Sequence, residues 1–253
     1  MAVVCSMEAI DSHAHLSMPI FRHELDMVIR RAINAGVKAI INPTISPEDF
    51  WRAMEIEKRY KGYIFVSLGL APQTADYVQL DSITIIAKEH KGRFIAIGEV
   101  GIDYYWVKTG EKIVRMEKIF ETMIGLSIDM RLPLIIHARS AYGKNAYAKV
   151  AGYLRKHDVE KAVFHAFMGS KSDAKLIIDN GWMVGIPTIY MRRREMWKVL
   201  ERIPIERMMI ETDAPYLSPR RGERNEPSNV VELIELISIV KGVEREEIST
   251  KIY

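Results

Sequence analysis

Two histidines stand two residues apart in the run AIDSHAHL, Ala9–Leu16, directly after an apolar opening. On an extended strand, residues i and i+2 face the same side, so His13 and His15 can turn both imidazoles toward one ion. The same kind of position recurs along the chain. Glu99 follows RFIAIG, His137 follows PLII, His165 follows KAVF, and Asp213 closes MMIETD. Nitrogen and carboxylate ligands suit Zn, Mn, Fe, Ni or Co, while Mg asks for more oxygen and more water. Six such residues exceed the three protein ligands usual at a mononuclear catalytic zinc. They fit a pair of ions about 3.5–4 Å apart, bridged by a carboxylate. A lone histidine at a strand end is ordinarily a hydrogen-bonded structural residue. Here four of the seven histidines share such positions with two carboxylates. The remaining three read as structural or solvated: His23 in the first helix, and His90 and His157 near helix C-termini, where an imidazolium complements the dipole.

These residues need a scaffold that brings five strand ends together. Eight apolar runs rich in Val, Ile, Leu and Phe are predicted as strands: Ala9–Leu16, Val37–Ile45, Tyr63–Leu70, Phe94–Ile102, Leu134–Ala138, Ala162–Phe167, Trp182–Pro187 and Met208–Asp213. Nearly continuous apolar runs are the mark of strands buried on both faces under helices. Helical patterns lie between them. Arg22–Asn34 is stopped by Gly36, Pro47–Tyr60 has Ser46 as N-cap, and Glu111–Met130, Tyr142–Lys156, Ser172–Asn180 and Arg194–Glu201 follow. Ser228–Val240 has Ser228 as expected cap and Gly242 as stop, and Arg245–Tyr253 starts a further amphipathic helix that breaks off. Alternating strands and helices with no Pro/Gly/Ser-rich linker predict one (β/α)8 TIM-type barrel domain over residues 1–253. An open doubly wound sheet would carry a glycine-rich phosphate loop after an early strand, and none occurs. Barrel enzymes hold their sites at the C-terminal ends of the strands, where all six residues fall.

Composition narrows the setting. Apolar residues form 48% of the 253, enough for a sizeable core, and the net charge of +3 does not by itself mark a nucleic-acid binder. No apolar stretch reaches eighteen residues, and the N-terminus lacks a basic segment, so neither a membrane span nor a signal peptide is expected. The single cysteine, Cys5, is expected to be a buried thiol; with no disulfide available, a cytoplasmic location is the simplest reading.

The segments DSHAHL (Asp11–Leu16), GEVGIDYY (Gly98–Tyr105), PLIIHAR (Pro133–Arg139), FHAFMGS (Phe164–Ser170), ETDAPYLSP (Glu211–Pro219) and RNEP (Arg224–Pro227) span nearly the whole chain. In content and order they resemble the TatD family of metal-dependent hydrolases, within the amidohydrolase-like barrels. The resemblance implies a TIM-type barrel and divalent-metal hydrolysis of phosphodiesters, commonly at DNA ends. It also implies His13, His15, Glu99, His137, His165 and Asp213 as ligands of two divalent ions (Mg, Mn or Zn), with Glu99 bridging. Departures cluster at the mouth. The family's GxHPH-like stretch reads GLAPQ, with Ala71 and Gln73 at the histidine positions. Its HCFSG-like stretch reads HAFMG, and Ala138, Arg139 and Ser140 follow the fifth-strand histidine in place of Ser-Arg-Asp.

The expected chemistry is attack by a metal-activated water, with Asp213 accepting its proton and Glu99 holding the ions together. For substrate contacts, Arg139 is either a bidentate phosphate clamp or a rim salt bridge. Arg192–Arg194 and Arg220, Arg221 and Arg224 follow strands seven and eight, where barrels often bind phosphate, or they form a solvated face. Tyr104, Tyr105 and Trp106 either stack bases or pack the barrel top. Asp103 either joins the substrate contacts, orients a ligand or caps a loop, and Glu211 either supports a ligand or joins a buried ion pair. The expected partner is nucleic acid or a small phosphodiester. A carbon-centred ester, lactone or amide is the alternative substrate, and a barrel kept only for metal binding is the third reading.

Overall fold

The computed structural model describes residues 8–252; Cys5 lies outside them. Eight strands run parallel: β1 (Ala9–Asp11), β2 (Val37–Pro43), β3 (Ile64–Ser67), β4 (Ile97–Asp103), β5 (Leu134–Arg139), β6 (Ala162–Phe164), β7 (Met183–Pro187) and β8 (Met208–Glu211). They pair in chain order as one ladder of β1-β2-β3 and one of β4 to β8. Parallel bridges at Leu68–Ile97 and Ala14–Ala214 join the ladders at both seams. At the second seam the Ser12 N–H also donates to the Ile210 carbonyl at 3.0 Å. The architecture is the expected (β/α)8 TIM-type barrel.

The helices are α1 (Leu25–Ala35), α2 (Pro47–Arg59), α3 (Tyr77–Glu89), α4 (Gly110–Met130), α5 (Ala146–Lys156), α6 (Lys171–Asp179), α7 (Trp197–Leu200), α8 (Glu232–Lys241) and α9 (Arg245–Ile252). Local signals set many of their ends. Ser46 Oγ accepts from Asp49 N–H at 3.2 Å with Pro47 at the first helical position, and Gly36 closes α1 at φ 100°. In the core Ile40, Ile64, Leu68, Ile97, Leu134, Ile136 and Ile186 are almost wholly shielded, each such burial stabilising by about 1.5–3 kcal/mol.

Several bounds differ from those expected. Periodicity does not reveal α3, because its β-branched run Ile83-Thr-Ile-Ile86 resembles a strand and Val78 and Ile85 face solvent. Ser228 does not cap α8; it lies inside a 3-10 turn, Pro227–Val231, that precedes the helix. His23 precedes α1 rather than lying in it. The α9 segment forms a helix with Ile248 buried, and the Ser249 hydroxyl donates to the Glu8 carbonyl at 2.8 Å. Among the described residues, no helix is long and apolar enough to cross a membrane.

Most informative for the site, β1 stops at Asp11, short of both histidines. The chain nonetheless stays pinned between its neighbours. Ala14 N–H donates to Ile41 O at 3.0 Å, His15 N–H to Ala214 O at 2.8 Å, and Asp213 N–H to His13 O at 2.8 Å. The expected two-residue spacing thus works through cross-strand bonds beyond the strand proper. In β4 the register slips between Ile97 and Val100, so an additional residue sits opposite β5. Such a bulge re-aims a side chain, and the two residues inside it are Gly98 and Glu99.

Candidate metal centre

All six expected ligands meet at one end of the barrel. His13 Nε2 and His15 Nε2 are 3.3 Å apart. Asp213 Oδ1 lies 3.7 Å from the first and 3.4 Å from the second. Glu99 Oε2 stands 3.5 Å and 3.4 Å from the same two nitrogens. The other oxygen of Glu99 faces a different pair: Oε1 lies 2.9 Å from His137 Nδ1 and 3.3 Å from His165 Nε2, and those two nitrogens are 3.3 Å apart. The rings of His13 and His165 stack at 3.9 Å, nearly parallel, and join the two halves.

The chemistry of this donor set fits divalent cations. Most of the facing atoms carry lone pairs and stand 3.3–3.7 Å apart, at the long end of hydrogen-bond distance. Two ligands about 2.05 Å from a tetrahedral ion would be about 3.3 Å apart, close to the spacings found. Five of the six are buried and His137 is half-buried, and imidazole with carboxylate is the ligand mix of Zn- and Mn-type sites.

Electrostatics reflect the crowding. Burial pushes the His13 imidazole down, helped by neighbouring His165. Burial also acts on His15, His137 and His165, but there the carboxylates win and hold the rings above their ordinary 6.5: Asp213 for His15, Asp103 for His137, and Glu99 for His165. Despite burial, the surrounding imidazoles hold Glu99 well below the usual carboxylate range and keep Asp213 low as well.

A supporting layer holds several of the ligands. Glu99 N–H donates to Thr44 O at 3.2 Å, and Ser67 Oγ donates to Gly98 O at 2.5 Å. Gly69 must lack a side chain, since a Cβ there would collide with the Glu99 backbone nitrogen. Asp213 sits at φ 56°, a left-handed conformation unfavourable for a residue with a Cβ. It is held there from both sides: its N–H is bound by His13 O and its carbonyl by Tyr216 N–H at 2.8 Å. Beneath it, buried Asp11 accepts from Thr212 N–H at 2.9 Å and lies 2.6 Å from Thr212 Oγ1. Glu211, fully buried, lies 3.7 Å from His165 Nδ1 and accepts from Ala166 N–H. Sequence reasoning left Glu211 open and missed Asp11 and Asn225. An ionisable residue inside an apolar strand, as in AIDSH, was the available signal for Asp11.

The four expected substrate contacts occupy different places. Arg139 ends β5, is exposed, and lines a cavity of about 1080 Å³ over the centre. Asp103 is wholly buried, with Oδ2 2.9 Å from His137 Nε2 and Oδ1 accepting from the Tyr105 and Trp106 N–H groups, so it meets substrate only through His137. Tyr104 is also buried, with its hydroxyl donating to Glu117 Oε1 at 3.3 Å on α4, away from the cavity. Arg192 Nε donates to Ser218 O at 3.0 Å, and Arg193 rather than Arg192 lines the cavity. Gln73, at a departure from the family pattern, donates to Asp103 Oδ2 at 3.0 Å. Trp106 and Tyr216 complete the rim of the mouth.

Comparison with known proteins identifies relatives of the whole chain. The profile described as TatD related DNase matches residues 10–253. Deoxyribonuclease TATDN3 of Homo sapiens is 32% identical over 250 residues, covering 94% of this chain and 89% of the relative. The metal-dependent hydrolase MJ1582 of Methanocaldococcus jannaschii is 32% identical over 251 residues, covering 96% and 93%. The crystal structure of YjjV, a TatD homolog of Escherichia coli, superposes with a TM-score of 0.87 at 25% identity, over 97% of this chain and 95% of that one.

Proposed function

The chain belongs to the TatD family and is a metal-dependent hydrolase, and from that premise we propose that it hydrolyses phosphodiester bonds of DNA, at strand ends, with two divalent ions in one barrel domain. The observation that carries the two-ion reading is the division of Glu99: Oε2 faces His13 and His15, and Oε1 faces His137 and His165. One ion would be held by His13, His15, Asp213 and Glu99, the other by Glu99, His137 and His165. The imidazole-rich set favours Zn or Mn over Mg.

When bound, such ions lower the pKa of water toward ~7 and polarise a phosphoryl oxygen. The protein supplies the remainder. Asp213 is kept ionised at neutral pH by its imidazole neighbours, so its carboxylate can take a proton from an attacking water. Asp103 fixes the orientation of His137.

The test incubates metal-reconstituted protein with end-labelled DNA, aryl phosphodiesters and aryl carboxylic esters, with and without chelator. Chelator-sensitive release of nucleotides is the expected result. Turnover confined to carboxylic esters would replace the phosphodiesterase reading with a carbon-centred one. Asp213→Asn is expected to lose about 10²- to 10⁴-fold in turnover with an unchanged circular dichroism spectrum.

A further inference from the structure

The basic side chains around the mouth fall into two groups. Beside β7 and β8 three are paired with carboxylates, Arg193 with Glu195 at 3.0 Å, Arg220 with Glu232 at 2.8 Å and Arg224 with Glu24 at 2.8 Å, while Arg192 Nε donates to Ser218 O and Arg194 lies over Trp197. Beside β4 and β5 the pattern changes. Among the described residues, Arg139 and Lys108 have no carboxylate oxygen within 4.0 Å. They lie over aromatic rings instead: the Arg139 guanidinium carbon is 4.0 Å from the centroid of Tyr105, and Lys108 Nζ is 5.9 Å from Tyr105 and 5.2 Å from Tyr142. A ring face orients a cation without neutralising it, so the charge stays available to an anion.

The rings themselves are open to solvent. Trp106 is 61% exposed and Tyr142 65%, unusual for side chains of this size standing together. The Trp106 and Tyr105 rings stand perpendicular at 5.0 Å, an arrangement in which Tyr105 covers at most one indole face. Both Trp106 and Arg139 line the same cavity as Glu99 and His137, so the patch continues into the metal centre.

We propose that Trp106, Tyr142, Lys108 and Arg139 form the binding site for a single nucleic-acid strand. Unpaired bases stack on Trp106 and Tyr142, while Lys108 and Arg139 hold the intervening phosphates. Stacking demands bases whose faces are free, which a duplex does not offer, and alternating ring and cation matches the base–phosphate alternation of a single strand. On the side near β7 and β8, Arg193, Arg220 and Arg224 are already paired and contribute little. This assignment rests on the phosphodiesterase reading above and adds where the strand lies.

The experiment measures affinity for a fluorescein-labelled oligothymidylate by anisotropy, in the metal-loaded Asp213→Asn protein so that no cleavage intervenes. Adding Trp106→Ala is expected to weaken binding about 5- to 150-fold, the range for loss of one stacked base. Adding Lys108→Ala should weaken it and flatten the dependence on salt. Metal content measured in each variant shows that the centre is intact. Unchanged affinity in both variants, while the parent chain cleaves DNA, overturns the strand site alone. Equal affinity for a blunt duplex overturns it too. If the parent chain cleaves small esters but neither binds nor cleaves oligonucleotide, the nuclease reading fails and takes this assignment with it.

Discussion

Asp103 Oδ2 lies 2.9 Å from His137 Nε2, while Nδ1 of the same ring lies 2.9 Å from Glu99 Oε1. Both ring nitrogens thus face carboxylates, which accept and do not donate, so the empty centre favours a proton on each. A cation taking Nδ1 on the Glu99 side would displace that proton and leave the neutral ring with its proton on Nε2, held by Asp103. Buried Asp103 thereby decides which nitrogen of His137 is free for a cation.

Asp103→Asn removes that decision, because an amide can turn its NH₂ toward Nε2 and favour the opposite tautomer. Metal affinity is expected to fall about 10- to 100-fold, the usual effect of losing such a partner. Competition with a chromophoric chelator measures it. Undiminished affinity would reduce Asp103 to a cap for the Tyr105 and Trp106 amides.

Glu99→Gln tests the division of one carboxylate between two ligand sets. An amide offers one oxygen and one NH₂, so it cannot serve both. Elemental analysis should find no more than one ion per chain in the variant and two in the parent protein. Hydrolysis should fall by on the order of 10²-fold or more, as expected when two-metal stabilisation is lost. Two tightly held ions in the variant would mean that Glu99 is not the bridge.

The imidazoles give opposite pH slopes to the stability of the empty protein and to its metal affinity. His15, His137 and His165 are held above 6.5 by neighbouring carboxylates. Their protons stabilise the empty fold fully below pH 6.5, and this contribution fades as pH rises through the higher folded values. Buried Asp11, pushed up to about 8 by desolvation, acts in the same direction, while His13 opposes it. Metal must displace these protons, so its affinity climbs with pH over the same window. Chelator-treated protein should therefore show a falling urea midpoint from pH 6.5 to 8. Titration calorimetry in two buffers of different ionisation enthalpy should detect proton release. A binding heat independent of buffer would contradict the protonated imidazoles.

How much of this was legible depended on whether the signal was local. His13, His15, His137 and His165 follow apolar runs, so strand ends and ligands were found together. Glu99 was found for the same reason, but its bulge was hidden, since Gly98 and Gly101 signal only that something unusual happens nearby. Asp103 was ambiguous because its roles as loop cap and ring anchor look alike in sequence, and it fills both, one oxygen for each. Arg192 misled because a run of three arginines says nothing of which one faces the cavity. Helix α3 was obscured by strand-like residues whose helical state is set by packing, not by propensity.

Asn225 is the residue least visible in sequence and most connected in space. It is fully buried in the loop after β8. Its amide nitrogen donates to Thr188 Oγ1 at 2.8 Å and to Thr212 O at 2.7 Å, while its oxygen accepts from Glu226 N–H at 3.0 Å and Asn229 Nδ2 at 2.8 Å. Thr212 in turn is bonded to Asp11 and immediately precedes Asp213, so Asn225 fixes the backbone that presents that carboxylate. Asn225→Ala leaves the Thr212 carbonyl without this buried donor, at a cost of about 1–3 kcal/mol for an unsatisfied group. Urea denaturation should register a loss of that order. Because the network ends at Asp213, turnover should fall further than the fraction of unfolded protein explains. A variant that is destabilised yet fully active per folded molecule would show that the loop stabilises the barrel without positioning Asp213.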